Sequence, residues 1–337
     1  MDPTLRQNLR DLLHHAFEHA APTPALIVTD ARSPLARLLS GAYREVLPHA
    51  ALLDIDAAGP DAVRAAAAAL PPGSLVVLVQ STRFEMGAHR FRMELFRLGL
   101  QVIEHPHVDR IRDTEIAVYV DALAYDPGHL RGLGRALQDR IGAAQAIEVC
   151  SPRGVLRYRG PFEDARLNVG DYTGMPHVGG QFPIGEVFTE PVDLEAVSGE
   201  VAIAAFGAED FSVTFPDQPF GLQVAQGRVV AAPDAPASFH AILAAITAEE
   251  GQVWLRELGF GLNRAMTLAR RVSDVSTYER MCGVHLSLGA KHAVYPKPGF
   301  NKRHTRFHVD VFCATERVDI DGAQVYADGR YTITRSA

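Results

Sequence analysis

The sequence predicts an α/β N-terminal domain built on a mostly parallel sheet, followed by a β-rich α+β domain that binds metal. Three observations predict it. Short apolar runs alternate with helical patterns from Ala25 to about Ala143, and after about Gln145 the chain turns to short strands broken by Gly, Pro and Asp. From Glu186 to Asp310, hard ligands recur beside glycine or inside apolar strands. A length of 337 residues fits two domains, drawn here as 1–143, a scaffold or gate, and 144–337, the metal-binding and catalytic part.

In the first part the order is ALIVTD, a helix through Leu35 to Val46, ALLDID, an Ala-rich helix from Asp61, and SLVVLVQ. Continuous apolar runs alternating with helices are the pattern of βαβ units whose sheet is buried on both faces. LFRLGLQVIEH and TEIAVYVDAL are expected to extend that sheet, and Pro127 to Ile141 to close it with a helix. The first strand runs into TDARSP without a glycine-rich phosphate loop, so no dinucleotide fingerprint is present. In the second part, Gln226-Gly227 and Asp321-Gly322 are hairpin turns. A single helix, Pro236 to Glu250, interrupts the strands.

Composition excludes several classes. A net charge of -7 with 33 scattered basic residues leaves no footprint for nucleic acid or an anionic membrane. No apolar stretch reaches the roughly 20 residues needed to span a bilayer. The N-terminus reads as an amphipathic helix without the features of a signal peptide. Cys150, Cys282 and Cys313 are odd in number and far apart, which suits a reducing cytoplasm and no thiolate metal site.

The chemistry concentrates in FPIGEVFTEP, WLRELGFGLN, GVHLSLGAKH and FHVDVF. His308 and Asp310 stand two apart in an apolar strand, so both leave the same face and can grip one ion. With Glu186, Glu257 and His285 they make two imidazoles and three carboxylates, a set that suits zinc, manganese, cobalt or ferrous iron. Charged groups in apolar strands need partners or a metal. Two divalent ions carry four positive charges against three carboxylates, and the one left over suits a hydroxide. Two ions about 3.5–4 Å apart activate a water and polarise a carbonyl, which is amide-hydrolase chemistry.

GEVFTEP, ELGFGLN, GVHLSLG and FHVDVF also resemble, in order and spacing, the motifs of the thermophilic metallo-aminopeptidase family (aminopeptidase T and its leucyl aminopeptidase-like relatives, peptidase family M29). The resemblance implies that Glu186, Glu257, His285, His308 and Asp310 ligate a two-metal centre, that the substrate is a small peptide or another small molecule, and that the protein is a homodimer. The family places a tyrosine seven residues after the ligand histidine; here that position is His292 and the nearest tyrosine is Tyr295. It also implies that Glu279 is the general base. The basic run between the ligand strands, with Lys291, Lys297, Lys302, Arg303, His304 and Arg306, reads either as a clamp for a substrate carboxylate or as a solvated loop.

Two rival expectations follow from the same residues. His285, His308 and Asp310 alone would make a two-His, one-carboxylate site for ferrous iron, as in a ring-cleavage dioxygenase. Dihydroxypyridine dioxygenases resemble the peptidase family in fold, but the resemblance implies that they lack the glutamate of GEVFT and carry histidine in place of the second glutamate. The other rival is a non-catalytic binding protein on the same fold.

Overall fold

The computed structural model describes residues 2–20, 22–84, 86, 90–300 and 306–333. The chain falls into two compact units, both discontinuous. The first joins Met1–Pro127, Gly170–Ile184 and Val272–Thr277; the second joins Gly128–Val169, Gly185–Arg271 and Tyr278–Ala337. Most of the helix Pro127–Ala143 therefore belongs with the second unit.

In the first unit, Asp2 caps the helix Pro3–Phe17 by accepting Thr4 N–H at 2.8 Å, and Leu5, Leu9, Leu12, Ala16 and Phe17 form its buried stripe. The parallel sheet runs β2 (Ala51–Asp54), β1 (Ala25–Thr29), β3 (Leu75–Val79), β4 (Gln101–His105), and then the short strand Gly179–Gln181. Every residue of β1 and β3 is buried, which is why both read as unbroken apolar runs. Beyond β1 the Asp30 carboxylate accepts Ser81 N–H at 2.9 Å, and Ser81 Oγ accepts Ser33 N–H at 2.8 Å.

TEIAVYVDAL corrects the sequence expectation. It forms a 3₁₀ turn, Asp113–Glu115, and then the helix Ile116–Ala122. Its β-branched residues favour a strand, but the Glu115 carboxylate accepts Arg112 N–H at 3.1 Å and is further held by Ser273 N–H at 2.9 Å. The edge position goes to Gly179–Gln181 instead. A Cβ at Gly179 would lie 1.9 Å from the Val102 carbonyl oxygen, so only glycine fits there.

At the end of β4, His105 is fully buried between two tyrosines. Tyr119 donates to the Phe182 carbonyl at 3.0 Å, so it accepts from His105 Nδ1–H at 2.9 Å, and the bare Nε2 accepts from Tyr43 at 2.7 Å. Burial pushes His105 down to about 3. The folded value lies below the ordinary one of 6.5, so this contribution to stability is complete above pH 6.5 and drains as pH falls from there towards about 3. The difference in urea unfolding free energy between wild type and His105→Gln is therefore expected to shrink between pH 7 and pH 4. A constant difference would show that His105 is not held neutral.

Among the described residues the second unit is organised on one curled sheet of 14 strands, antiparallel in every pairing. Its main path runs Arg330–Tyr331, Ala323–Ala327, Arg317–Ile320, Ala146–Ser151, Gly154–Arg159, Val197–Gly207, Val309–Cys313, Gly283–Leu288, Leu255–Gly261, Glu186–Thr189 and Arg166–Asn168. Both hairpin turns expected from the sequence form, with positive φ at Gln226, Gly227, Asp321 and Gly322. The helix Ala237–Glu250 follows the first of them. No helix among the described residues is long and apolar enough to cross a membrane.

Candidate metal centre

Four neighbouring strands of the second unit carry the site: β5 (Glu186–Thr189), β6 (Leu255–Gly261), β7 (Gly283–Leu288) and β8 (Val309–Cys313). Residues directly opposite each other in an antiparallel pair share a face. Gly261 faces Glu186, Gly259 faces His285, Ser287 faces Asp310 and His285 faces Phe312. Glu257 lies where the register of β6 shifts between Leu255 and Leu258; its Oε1 reaches the same side, 3.4 Å from His285 Nε2, and its N–H donates to Ser287 Oγ at 3.1 Å. Val187, Leu258, Phe260, Val284, Leu286 and Val311, all fully buried, form the opposite, apolar face. The two faces thus separate the candidate ligand side chains from the apolar core.

Space for His285 comes from glycine. A Cβ on Gly259 would lie 2.1 Å from the Cε1 and Nε2 atoms of the imidazole, so the ring occupies the volume a side chain would fill. His285 Nε2 stands 3.2 Å from Glu186 Oε1 and 3.4 Å from Glu257 Oε1, yet it makes an aligned hydrogen bond with neither. Glu186, Glu257 and His285 are all buried and form one group able to hold a cation.

A second group consists of Glu257, His308 and Asp310. His308 donates Nδ1–H to the Lys291 carbonyl at 3.1 Å, which turns Nε2 towards the site, 3.2 Å from Asp310 Oδ1. A backbone acceptor on the far nitrogen is the usual support of a metal-bound histidine. Asp310 Oδ1 is buried without a hydrogen-bond partner. Stranded donor atoms, an oxygen and nitrogen donor set and the supported His308 imidazole together fit one or two divalent ions. Among the described residues no other three His, Cys, Asp or Glu side chains gather in this way.

The electrostatics follow from the crowding. Burial favours the neutral form of His285, but the Glu186 and Glu257 carboxylates outweigh it and push the imidazole up to about 10. Burial pushes Glu257 up, while His285 and His292 more than offset it and hold the carboxylate far below the usual range. At His308 burial acts downward and Asp310 upward, with a net rise. Carboxylates outnumber cations here, and these protons occupy places that a cation could take.

The residues expected to act on substrate are placed differently from one another. His292 touches Glu257, with Nε2 2.8 Å from Oε2. Glu279 pairs with Arg280, whose other terminal nitrogen is 3.6 Å from Glu186 Oε2, so Glu279 belongs to the Glu186 end of the site. Tyr295 turns its hydroxyl to the main chain. Its hydroxyl lies between the carbonyl oxygens of Asp164 and Phe188 at 2.8 and 3.1 Å, and burial raises its pKa, so its proton is committed to the main chain.

The basic run divides as well. Lys297 is engaged by Glu163 and the carbonyls of Pro191 and Val192, and Arg306 pairs with Glu249, while Lys302, Arg303 and His304 lie outside the described residues. Sequence reasoning overlooked Arg256, Glu190, Arg280 and Glu250. Arg256 and Glu190 are almost completely buried charges inside the very motifs singled out, and that was the available signal. Glu250 ties down both ends of the ligand loop by accepting Ala290 N–H at 2.7 Å, Arg306 N–H at 3.0 Å and Phe307 N–H at 3.1 Å.

Fold comparison agrees with this architecture. The chain is similar to 2,5-dihydroxypyridine dioxygenase from Pseudomonas putida KT2440, with a TM-score of 0.62, 13% identity, and coverage of 97% of this chain and 96% of that one. It is similar to AmpT from Thermus thermophilus, with a TM-score of 0.59, 13% identity and coverage of 98% and 99%. No protein-family profile matches the chain, and no curated protein matches it in sequence. The likeness is one of fold, shared between a dioxygenase and AmpT, and so carries no choice of reaction.

Proposed function

We propose that the chain is a metal-dependent hydrolase that removes an N-terminal residue from a short peptide or cleaves a small amide. The observation that carries this reading is that Glu257 belongs to both ligand groups, so that one carboxylate is available to two neighbouring ions. A single-iron triad of His285, His308 and Asp310 has less support, because His285 gathers with the two glutamates rather than with His308 and Asp310. Divalent ions, zinc, manganese or cobalt, would supply activation of a water and polarisation of the scissile carbonyl.

The rest falls to the protein. Glu186, Glu257 and His285 would hold one ion, and Glu257, His308 and Asp310 the other. Glu279 is the proton acceptor, and Arg280, paired to it, keeps its carboxylate at the Glu186 end. Glu279→Gln is expected to lower the rate about 10²–10⁴-fold while leaving metal content unchanged. An unchanged rate would leave Glu279 with a salt-bridge role only.

The direct test is metal analysis of protein purified without chelator, run beside assays of short-peptide hydrolysis and of oxygen uptake with a dihydroxylated aromatic. Two zinc, manganese or cobalt ions with peptide cleavage support the hydrolase. One iron with oxygen uptake would overturn it in favour of the dioxygenase, and no metal would leave a binding protein.

A further inference from the structure

We propose that Arg256, with Glu190 as its counter-ion, is a positioning residue that sets the Ala290–Tyr295 loop so that His292 donates its Nε2–H to Glu257; the inference rests on Glu257 being an ion ligand as read above. Arg256 and Glu190 are 1% and 0% exposed. Burying such a pair costs several kcal/mol per ion in lost hydration, and apolar residues of similar size often serve stability as well. A role in placement gives the pair a purpose that packing alone does not.

The hydrogen bonds of Arg256 define that role. Nε and Nη2 donate to the two Glu190 oxygens at 2.7 and 3.0 Å. Nη1 donates to the Ala290 carbonyl at 2.6 Å and Nη2 also to the Tyr295 carbonyl at 2.8 Å. Those two carbonyls bracket His292, so one guanidinium holds both ends of the segment that carries it. Lysine, with a single point of charge, cannot span four acceptors in this way.

Inside the bracket the proton on His292 is fixed by its neighbours. Its Nδ1 accepts the N–H groups of Val294 and Tyr295, both at 3.2 Å. Backbone N–H can only donate, so Nδ1 carries the lone pair and Nε2 carries the proton directed at Glu257 Oε2. The Tyr295 hydroxyl anchors the far end of the same segment on the Asp164 carbonyl at 2.8 Å. The hydrogen bond of this histidine falls on a candidate ligand.

Two readouts test this without any substrate. In metal-free protein, ¹⁵N NMR of wild type is expected to show a slowly exchanging His292 Nε2–H, and Arg256→Lys is expected to lose it. Cobalt(II) titration followed by visible absorption is expected to show about 10–100-fold weaker binding for Arg256→Lys and for His292→Ala. In the His292→Ala background Arg256→Lys should add almost nothing, because residues acting through one contact are not additive. If Arg256→Lys does not fold, Tyr295→Phe, which removes one oxygen from the far anchor, is expected to show the same two losses.

Retention of the Nε2–H signal and of cobalt affinity in the folded variant, or a fully additive loss on His292→Ala, overturns the proposal. Wild-type protein that shows the signal but binds no cobalt overturns the metal reading alone, and the NMR comparison still decides the positioning.

Discussion

Glu257→Gln is expected to take the protein from two bound ions to none, while Glu186→Gln and His308→Ala each leave one. Glu257 is the only side chain common to both ligand groups among the described residues, with Oε1 towards His285 and Oε2 towards His292. Glutamine keeps the shape of the side chain and an oxygen able to accept from His292, so the fold should survive. It removes the negative charge that a hard cation needs, and its neutral amide is a weak ligand. His285 would also lose one of the two carboxylates that surround it.

The expected loss of affinity at each position is at least about 100-fold, the upper end of what even supporting residues contribute. Peptide hydrolysis should disappear with the ions. Metal content after dialysis against chelator-free buffer, for wild type and the three variants, gives the answer. A Glu257→Gln protein that keeps one tightly held ion would show that the two groups do not share this carboxylate.

The parallel sheet was legible in the sequence because burial on both faces leaves uninterrupted runs such as LVVLV, and the hairpins because Gln-Gly and Asp-Gly meet the need for positive φ. Legibility failed where tertiary contacts outweigh local preference. TEIAVYVDAL has strand composition but is fixed as a helix by the contacts of Glu115, and Gly179–Gln181 is too short and too rich in glycine to announce a strand. One cut at 143/144 also has no counterpart for segments such as Gly170–Ile184 and Val272–Thr277, which return to the first unit.

At the site, the sequence pattern put His308 and Asp310 on one strand face by period-two alternation and marked Glu186, Glu257 and His285 as charged groups beside glycine or inside apolar strands. It could not reveal that Tyr295 is bound to the main chain, nor that Arg256 spends its charge on Glu190 and two carbonyls. Those facts depend on a loop folding back over β6, and sequence separation hides them.

Gly259→Ala is expected to disable the His285 ion position with a single methyl group. Gly259 lies directly opposite His285 across β6 and β7, and an added Cβ would stand 2.1 Å from Cε1 and Nε2 of the ring. The imidazole cannot swing aside freely, since it is 1% exposed and Phe312, its partner on the other side, is fully buried. Either the ring leaves its place between Glu186 and Glu257 or the strands separate, at an overpacking cost of about 1–3 kcal/mol.

The backbone at Gly259 is not in the left-handed region, so alanine adds no dihedral strain there and the effect is purely one of contact. Gly142, in the helix Pro127–Ala143, is the control, because a Cβ there meets nothing within 4 Å. Gly142→Ala should leave metal binding unchanged and stabilise by up to about 1 kcal/mol through helix propensity. Gly259→Ala should keep a cooperative unfolding transition at reduced stability, lose one of two ions and lower activity at least about 100-fold. If Gly259→Ala binds both ions with wild-type affinity, His285 does not ligate from the place it occupies, and the first ligand group falls.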